Sequence, residues 1–114
     1  MGNPEIEIAL NQIQNKNYSA ALRVLAPLVE AGNPEAICNL ATLYQNGLGV
    51  KVDGLKAVEL YLQVAEQNIR ENCLSGIAYN NLATIYGMGI PGVKRDSERA
   101  QKYERLAKDL GFPM

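Results

Sequence analysis

The sequence has no histidine. That removes the usual base of serine and cysteine nucleophile sites and the commonest metal ligand. Only two cysteines are present, Cys38 and Cys73, and they do not form a zinc-type pair. No run is apolar and long enough to span a bilayer, and no basic start leads into an apolar stretch. Glu5 and Glu7 interrupt any signal peptide, and Ile6 stands where a myristoylation site needs Ser or Thr. Neither sign of charge dominates: Lys plus Arg number 11 against 12 for Asp plus Glu, a net charge of -1. The chain therefore has no general pull toward nucleic acid or an anionic membrane. We expect no cofactor, no metal and no enzymatic activity, and a cytoplasmic protein with reduced thiols, a Cys38–Cys73 bridge being the alternative.

What is present is repetition. Asn39-Leu40-Ala41-Thr42-Leu43-Tyr44 returns as Asn81-Leu82-Ala83-Thr84-Ile85-Tyr86, a shift of 42, and Gly47 matches Gly89. After a one-residue insertion Val50, Asp53, Lys56, Ala57 and Asn68 match Val93, Asp96, Arg99, Ala100 and Gly111, a shift of 43. Upstream, Ala21, Leu25, Glu30 and Gly32 lie 36 residues before Ala57, Tyr61, Glu66 and Asn68. A period of about 36 residues is the range of helical solenoid repeats.

The order Ala36, Leu40, Tyr44, Gly47, Gly49-Val50, Asp53, Lys56-Ala57, Tyr61, Ala65 resembles the Sel-one-like repeat (SLR) family, a branch of the tetratricopeptide-like helical repeats. The second copy departs from it at Pro91, and Glu104 stands where Tyr61 stands. The resemblance implies an all-α chain: a short α-solenoid of three antiparallel helix pairs, about two and a half repeats, in a right-handed superhelix. One domain is expected, with a tetratricopeptide-like hairpin over 1–32, a first SLR unit over 33–68 and a second over 69–114 that carries an inserted segment, 69–77. Some secreted relatives staple each repeat with a disulfide, which alignment would place at Ile37 and Ala65; neither is cysteine here.

Along the chain, Ile6, Ala9, Leu10 and Ile13 make one apolar stripe of a first helix over 4–15. Residues 18–31 are apolar almost all round and should pack on both sides, with a kink at Pro27. Gly32-Asn33-Pro34 ends that helix and starts one that runs to about Asn46. Gly47 and Gly49 supply the turn, and Asp53 caps a helix over 54–67 that belongs in the middle of the stack. In the inserted segment either the next helix starts early or a loop protrudes. That helix is expected over about 77–86. Asp96 caps the last one, which buries Ala100, Tyr103, Ala107 and Leu110 on a single stripe, with Phe112 and Met114 folding back over the exposed end.

Other motifs are weaker. Gly87-Met88-Gly89-Ile90-Pro91-Gly92 spells GxGxxG, but a dinucleotide site needs a strand before the glycines and a helix opening within them, and here a helix precedes. Asn17-Tyr18-Ser19 is a glycosylation sequon by spelling only. Glu5/Glu7, Glu66/Glu71 and Glu98/Glu104 read as solvated carboxylates. Lys94, Arg95, Arg99, Lys102, Arg105 and Lys108 are interleaved with Asp96, Glu98 and Glu104 and read as a solvated helix face.

In such a solenoid the first helix of each pair lines the concave side. If Ala36, Leu40, Leu43 and Tyr44, with Ala78, Leu82, Ile85 and Tyr86, are buried, the residues left to line it are Asn39, Thr42, Gln45, Asn46, Asn80, Asn81, Thr84 and Met88. Amides and hydroxyls suit hydrogen bonding to an extended peptide or a protein edge. The resemblance implies a protein-interaction module with another protein as partner. The chain's shortness favours a small bacterial immunity protein that neutralises a toxin by 1:1 binding. The alternatives are an adaptor in a larger complex and a homo-oligomeric structural element; a monomer or weak homodimer is expected.

Overall fold

A computed structural model describes residues 3–112. Six α-helices follow in order: α1 Pro4–Gln14, α2 Tyr18–Glu30, α3 Pro34–Asn46, α4 Gly54–Ala65, α5 Leu74–Met88 and α6 Ser97–Asp109. A single 3-10 turn, Glu71–Cys73, precedes α5, and the extended structure among the described residues is one isolated bridge, Ile90 to Val93. Each helix packs on its sequence neighbours, so the chain stacks as three antiparallel pairs, with α3 also touching α5.

Four helices start on side-chain caps that the sequence spells out. Asn3 accepts from the Glu5 N–H and Asn33 from the Ala36 N–H, each followed by a proline at the first helical position. Asp53 accepts from the Lys56 N–H and Asp96 from the Arg99 N–H, both at 3.1 Å. These bonds satisfy backbone donors that no helix can pair internally. Gly47 ends α3 at φ 66°, a left-handed conformation that a Cβ disfavours.

The core has two parts that meet at α3. Ile6, Ala9, Leu25, Ala36 and Leu43 pack together at one end. Around α4, Ile37, Ala57, Leu60, Tyr61, Val64, Leu82 and Ile85 form the larger cluster. α4 is covered from both sides by α3 and α5, as its nearly continuous apolar surface demands.

Several expectations change in detail. Leu10 is 41% exposed, so it leaves the buried stripe of α1, which has a neighbour on one side only. Leu40 and Tyr44 are half-buried, whereas Ile37, Cys38 and Ala41 are buried, because α3 lies between α2 on one side and α4 and α5 on the other. α5 starts three residues earlier than Ile77 and ends two later than Tyr86. Of the two readings of the inserted segment, the early helix start holds. The segment is pinned by Ser75, fully buried, whose Oγ donates to the Val64 carbonyl at 2.8 Å and accepts from the Ile69 N–H at 2.6 Å. Pro27 lies inside α2, which continues to Glu30, and Pro27 and Arg23 are both exposed. On α6 only Ala107 is fully buried; Ala100, Tyr103 and Leu110 are half-buried. Phe112 turns back so that its Cβ lies 2.9 Å from where a Cβ on Gly76 would sit; Met114 lies outside the described residues.

The turns of adjacent repeats are joined at Gly54. Its N–H donates to the Pro91 carbonyl at 2.9 Å, and a Cβ there would stand 2.6 Å from that same oxygen and 2.9 Å from side-chain carbons of Ile90 and Val93. Replacing a helical glycine by alanine ordinarily stabilises by about 1 kcal/mol. At this contact we expect the opposite sign: Gly54→Ala should destabilise by roughly 1–3 kcal/mol through overpacking. Urea unfolding of the two proteins checks this, and an equal or higher midpoint for the variant would refute the close approach.

Candidate functional site

A cavity of about 260 Å³ opens where α1, α3 and α5 face one another, the first helices of the three pairs. Leu10 comes from α1, Cys38, Asn39 and Thr42 from α3, and Leu74, Ile77 and Asn81 from α5. Tyr61 of α4 reaches it from beneath, and Glu35 and Asn72 complete the lining. The lining is thus part apolar and part amide and hydroxyl. No single helix makes it; it exists only because the pairs stack.

The polar lining is ordered from below. Tyr61 is fully buried, yet its hydroxyl reaches out to donate to Gln45 Oε1 at 2.7 Å and lies 2.9 Å from Thr42 Oγ1. Thr42 Oγ1 donates in turn to the Cys38 carbonyl at 3.1 Å. Asn39 and Asn81, equivalent positions of the two repeats, each give one amide hydrogen to the carbonyl four residues back, Glu35 and Ile77, at 3.0 Å. Their Oδ1 atoms remain as acceptors.

The eight residues expected to line the concave face therefore divide. Asn39, Thr42 and Asn81 line the cavity, and Gln45 supports it through Tyr61. Asn46, Asn80, Thr84 and Met88 are not brought to it. Asn46 caps back onto the Thr42 carbonyl, Thr84 onto the Asn80 carbonyl, and Met88 is 74% exposed. From Asn39 and Asn81 the cavity extends toward the N-terminal ends of α3 and α5. Steps of three and four residues toward the N-terminus from Asn39 reach Glu35, and from Asn81 reach Ile77 and Leu74. The sequence holds that periodicity, but nothing in it says which end of the helices faces the opening.

Basic residues collect elsewhere. Lys94, Arg95 and Arg99 border a hollow with Leu55 and Tyr86, and Lys102, Arg105 and Lys108 border another along α6. Arg99 lies 5.4 Å from the Tyr86 ring centroid and 3.7 Å from Asp96, and Lys108 is 3.9 Å from Glu104. All six cations are exposed, which is the solvated face expected. Gly87 and Met88 belong to the end of α5, so a helix precedes the GxGxxG spelling and the dinucleotide geometry does not arise. Among the described residues no group of three or more His, Cys, Asp or Glu side chains could hold a metal ion.

A family model for the Sel1 repeat matches residues 34–69 and 76–112. The chain belongs to the Sel1 repeat family. A search of curated proteins found no match. A crystal structure of a Sel1 repeat protein from Oxalobacter formigenes is similar over 94% of this chain and 79% of its own, with a TM-score of 0.76 at 23% identity. That likeness concerns the fold. It agrees with the all-helical stack of three pairs, and the two matched units place the cavity beside the first helix of each Sel1 repeat, α3 and α5.

Two buried groups in the Sel1 groove titrate late. Burial pushes the Cys38 thiol up to about 12 from 9.0, with the Glu35 carboxylate adding to it. Burial likewise pushes Tyr61 up to about 12 from 10.0, against the opposing hydrogen bond from Thr42 and with a small addition from Cys38. Cys38 is then a neutral thiol at neutral pH, a packing residue and a poor nucleophile. Cys38 and Cys73 are both free and buried. Because both folded values are raised, the folded chain holds protons that the unfolded chain gives up, so stability falls as pH rises from about 9 toward 12. We expect the urea midpoint to drop between pH 8 and pH 11. Cys38→Ala should lose less over the same range, and a midpoint flat to pH 11 in both proteins would contradict the burial.

Proposed function

We propose that this chain is a non-enzymatic protein-interaction module and that its partner docks an extended segment in the groove between α1, α3 and α5. Sel1 repeats generally mediate protein–protein interaction. What carries the reading is the groove itself, whose lining combines the apolar Leu10, Cys38, Leu74 and Ile77 with the amides and hydroxyls of Asn39, Thr42, Tyr61 and Asn81. Concave surfaces between repeats suit extended segments, where backbone groups supply hydrogen bonds and one side chain in the pocket supplies selectivity. Within this reading the chain acts as a small bacterial immunity protein against one toxin, or as an adaptor in a larger complex. Stoichiometry separates these: 1:1 with one partner for immunity, several partners for an adaptor. A homo-oligomeric element is a second reading, supported by Ile8, 51% exposed on α1, a helix whose main packing is against α2 alone. We place the module in the cytoplasm, where its two buried thiols stay reduced; no helix among the described residues is long and apolar enough to cross a membrane.

Affinity capture from the native lysate, with light scattering on the recovered complex, tests this. Leu10→Arg and Asn81→Trp obstruct the groove, whereas Thr84→Arg and Met88→Arg alter exposed positions outside it. We expect the first pair to weaken partner recovery at least about tenfold, a loss near 1.4 kcal/mol, with the second pair unchanged and all four folded by circular dichroism. Loss with the second pair and retention with the first would move the interface away from the groove. A self-complex at micromolar concentration, with no other protein bound, would favour the oligomer.

A further inference from the structure

The groove's charged groups are of one sign. The Tyr61 hydroxyl proton goes to Gln45 Oε1, the Thr42 hydroxyl is engaged by Tyr61 and the Cys38 carbonyl, and Asn39 and Asn81 each spend one amide hydrogen on their own helix. What remains is amide, able to donate or accept at Asn39, Asn72 and Asn81, and one charged group, the Glu35 carboxylate, which only accepts. A smaller hollow of about 100 Å³ shares Glu35, Asn72 and Leu74 with the groove and adds a second carboxylate, Glu71. No lysine or arginine lines either hollow, and among the described residues neither Glu35 nor Glu71 is in an ion pair. Glu35 is half-buried, so water screens its charge incompletely. Beside these polar groups stand Leu10, Leu74 and Ile77.

Such a site favours cations and penalises anions. An acidic segment would bring a like charge to Glu35 and Glu71, with no lysine or arginine lining either hollow to offset it. A lysine or arginine side chain brings only donors and the opposite charge. We propose that the groove takes a protein segment in which an apolar side chain stands next to a lysine or arginine. The apolar side chain fills the space between Leu10, Leu74 and Ile77, and the cation reaches Glu35 and Glu71 at the edge of the groove. This assignment rests on the groove being the docking surface and adds the chemistry of the occupant.

The test uses the full chain and a random peptide library displayed on phage. Enriched peptides are then synthesised with a fluorophore and titrated by anisotropy against the natural protein, Glu35→Gln/Glu71→Gln, Leu10→Arg and Asn81→Trp. Both glutamates are at least partly solvated, so their variant keeps the fold, which circular dichroism confirms. The expected result is enrichment of lysine or arginine beside an apolar residue, with affinity about three- to tenfold weaker for the double glutamine variant at low salt and the difference shrinking as salt rises. Peptides that Leu10→Arg and Asn81→Trp exclude, but that are acidic or indifferent to the glutamine changes, overturn the cation and leave the groove reading intact. Peptides bound equally well by Leu10→Arg and Asn81→Trp overturn both. A library that yields no binder overturns the proposal as well.

Discussion

Each Sel1 hairpin is closed by one backbone bond from an aspartate to a tyrosine. The Asp53 N–H donates to the Tyr44 carbonyl at 3.0 Å, and the Asp96 N–H donates to the Tyr86 carbonyl at 2.8 Å. The same aspartates cap the helices that follow. One residue therefore fixes both where the loop returns and where the second helix begins, and the register of the pair follows. The side chain at each helical position then meets a determined partner, because helix faces are set by spacing once the start is fixed.

The two hairpins use that common register differently. In the first, Tyr61 runs beneath α3 and its hydroxyl joins Thr42 and Gln45. In the second, Glu104 occupies the equivalent position and is exposed, and the packing passes to Tyr103, whose ring stacks on Tyr79 at 5.9 Å and on Tyr86 at 5.8 Å. A hydrogen-bonded tyrosine gives an ordered polar patch, whereas stacked rings give apolar closure. The groove's polar lining is correspondingly centred on the first repeat, with Asn81 as the contribution of the second.

Much of this was legible because the turn chemistry is local. Asn33-Pro34, Gly47, Asp53 and Asp96 mark helix ends that depend on a few neighbouring residues, and they hold in the structure. The inserted segment was not legible. Its outcome depends on Ser75 finding the Val64 carbonyl across α4 and on Asn72 and Cys73 both adopting positive φ, 55° and 54°, without being glycine. No local propensity announces that, since αL residues of this kind persist only when surrounding contacts over-determine them. Leu10 was missed for the complementary reason: a helical stripe reveals an apolar face, not whether a neighbour exists to cover it.

Net charge was the least informative quantity. A value of -1 describes a nearly neutral chain, yet Glu35 borders the groove and Glu71 the adjoining hollow, neither of them lined by lysine or arginine, while six cations lie between Lys94 and Lys108. α6 packs chiefly on α5, at one end of a molecule about 37 Å in its longest dimension. Charges in salt of physiological strength are felt over roughly 8–10 Å, so a partner approaching either region meets the local sign and not the sum. The near-cancellation that excludes a general affinity for polyanions is thus compatible with two surfaces of opposite preference on one small solenoid. In the groove Asn39, Thr42, Tyr61 and Asn81 are already held in place by hydrogen bonds. Such preorganisation lowers the ordering cost of binding, which is the physical ground for proposing the groove as the docking surface.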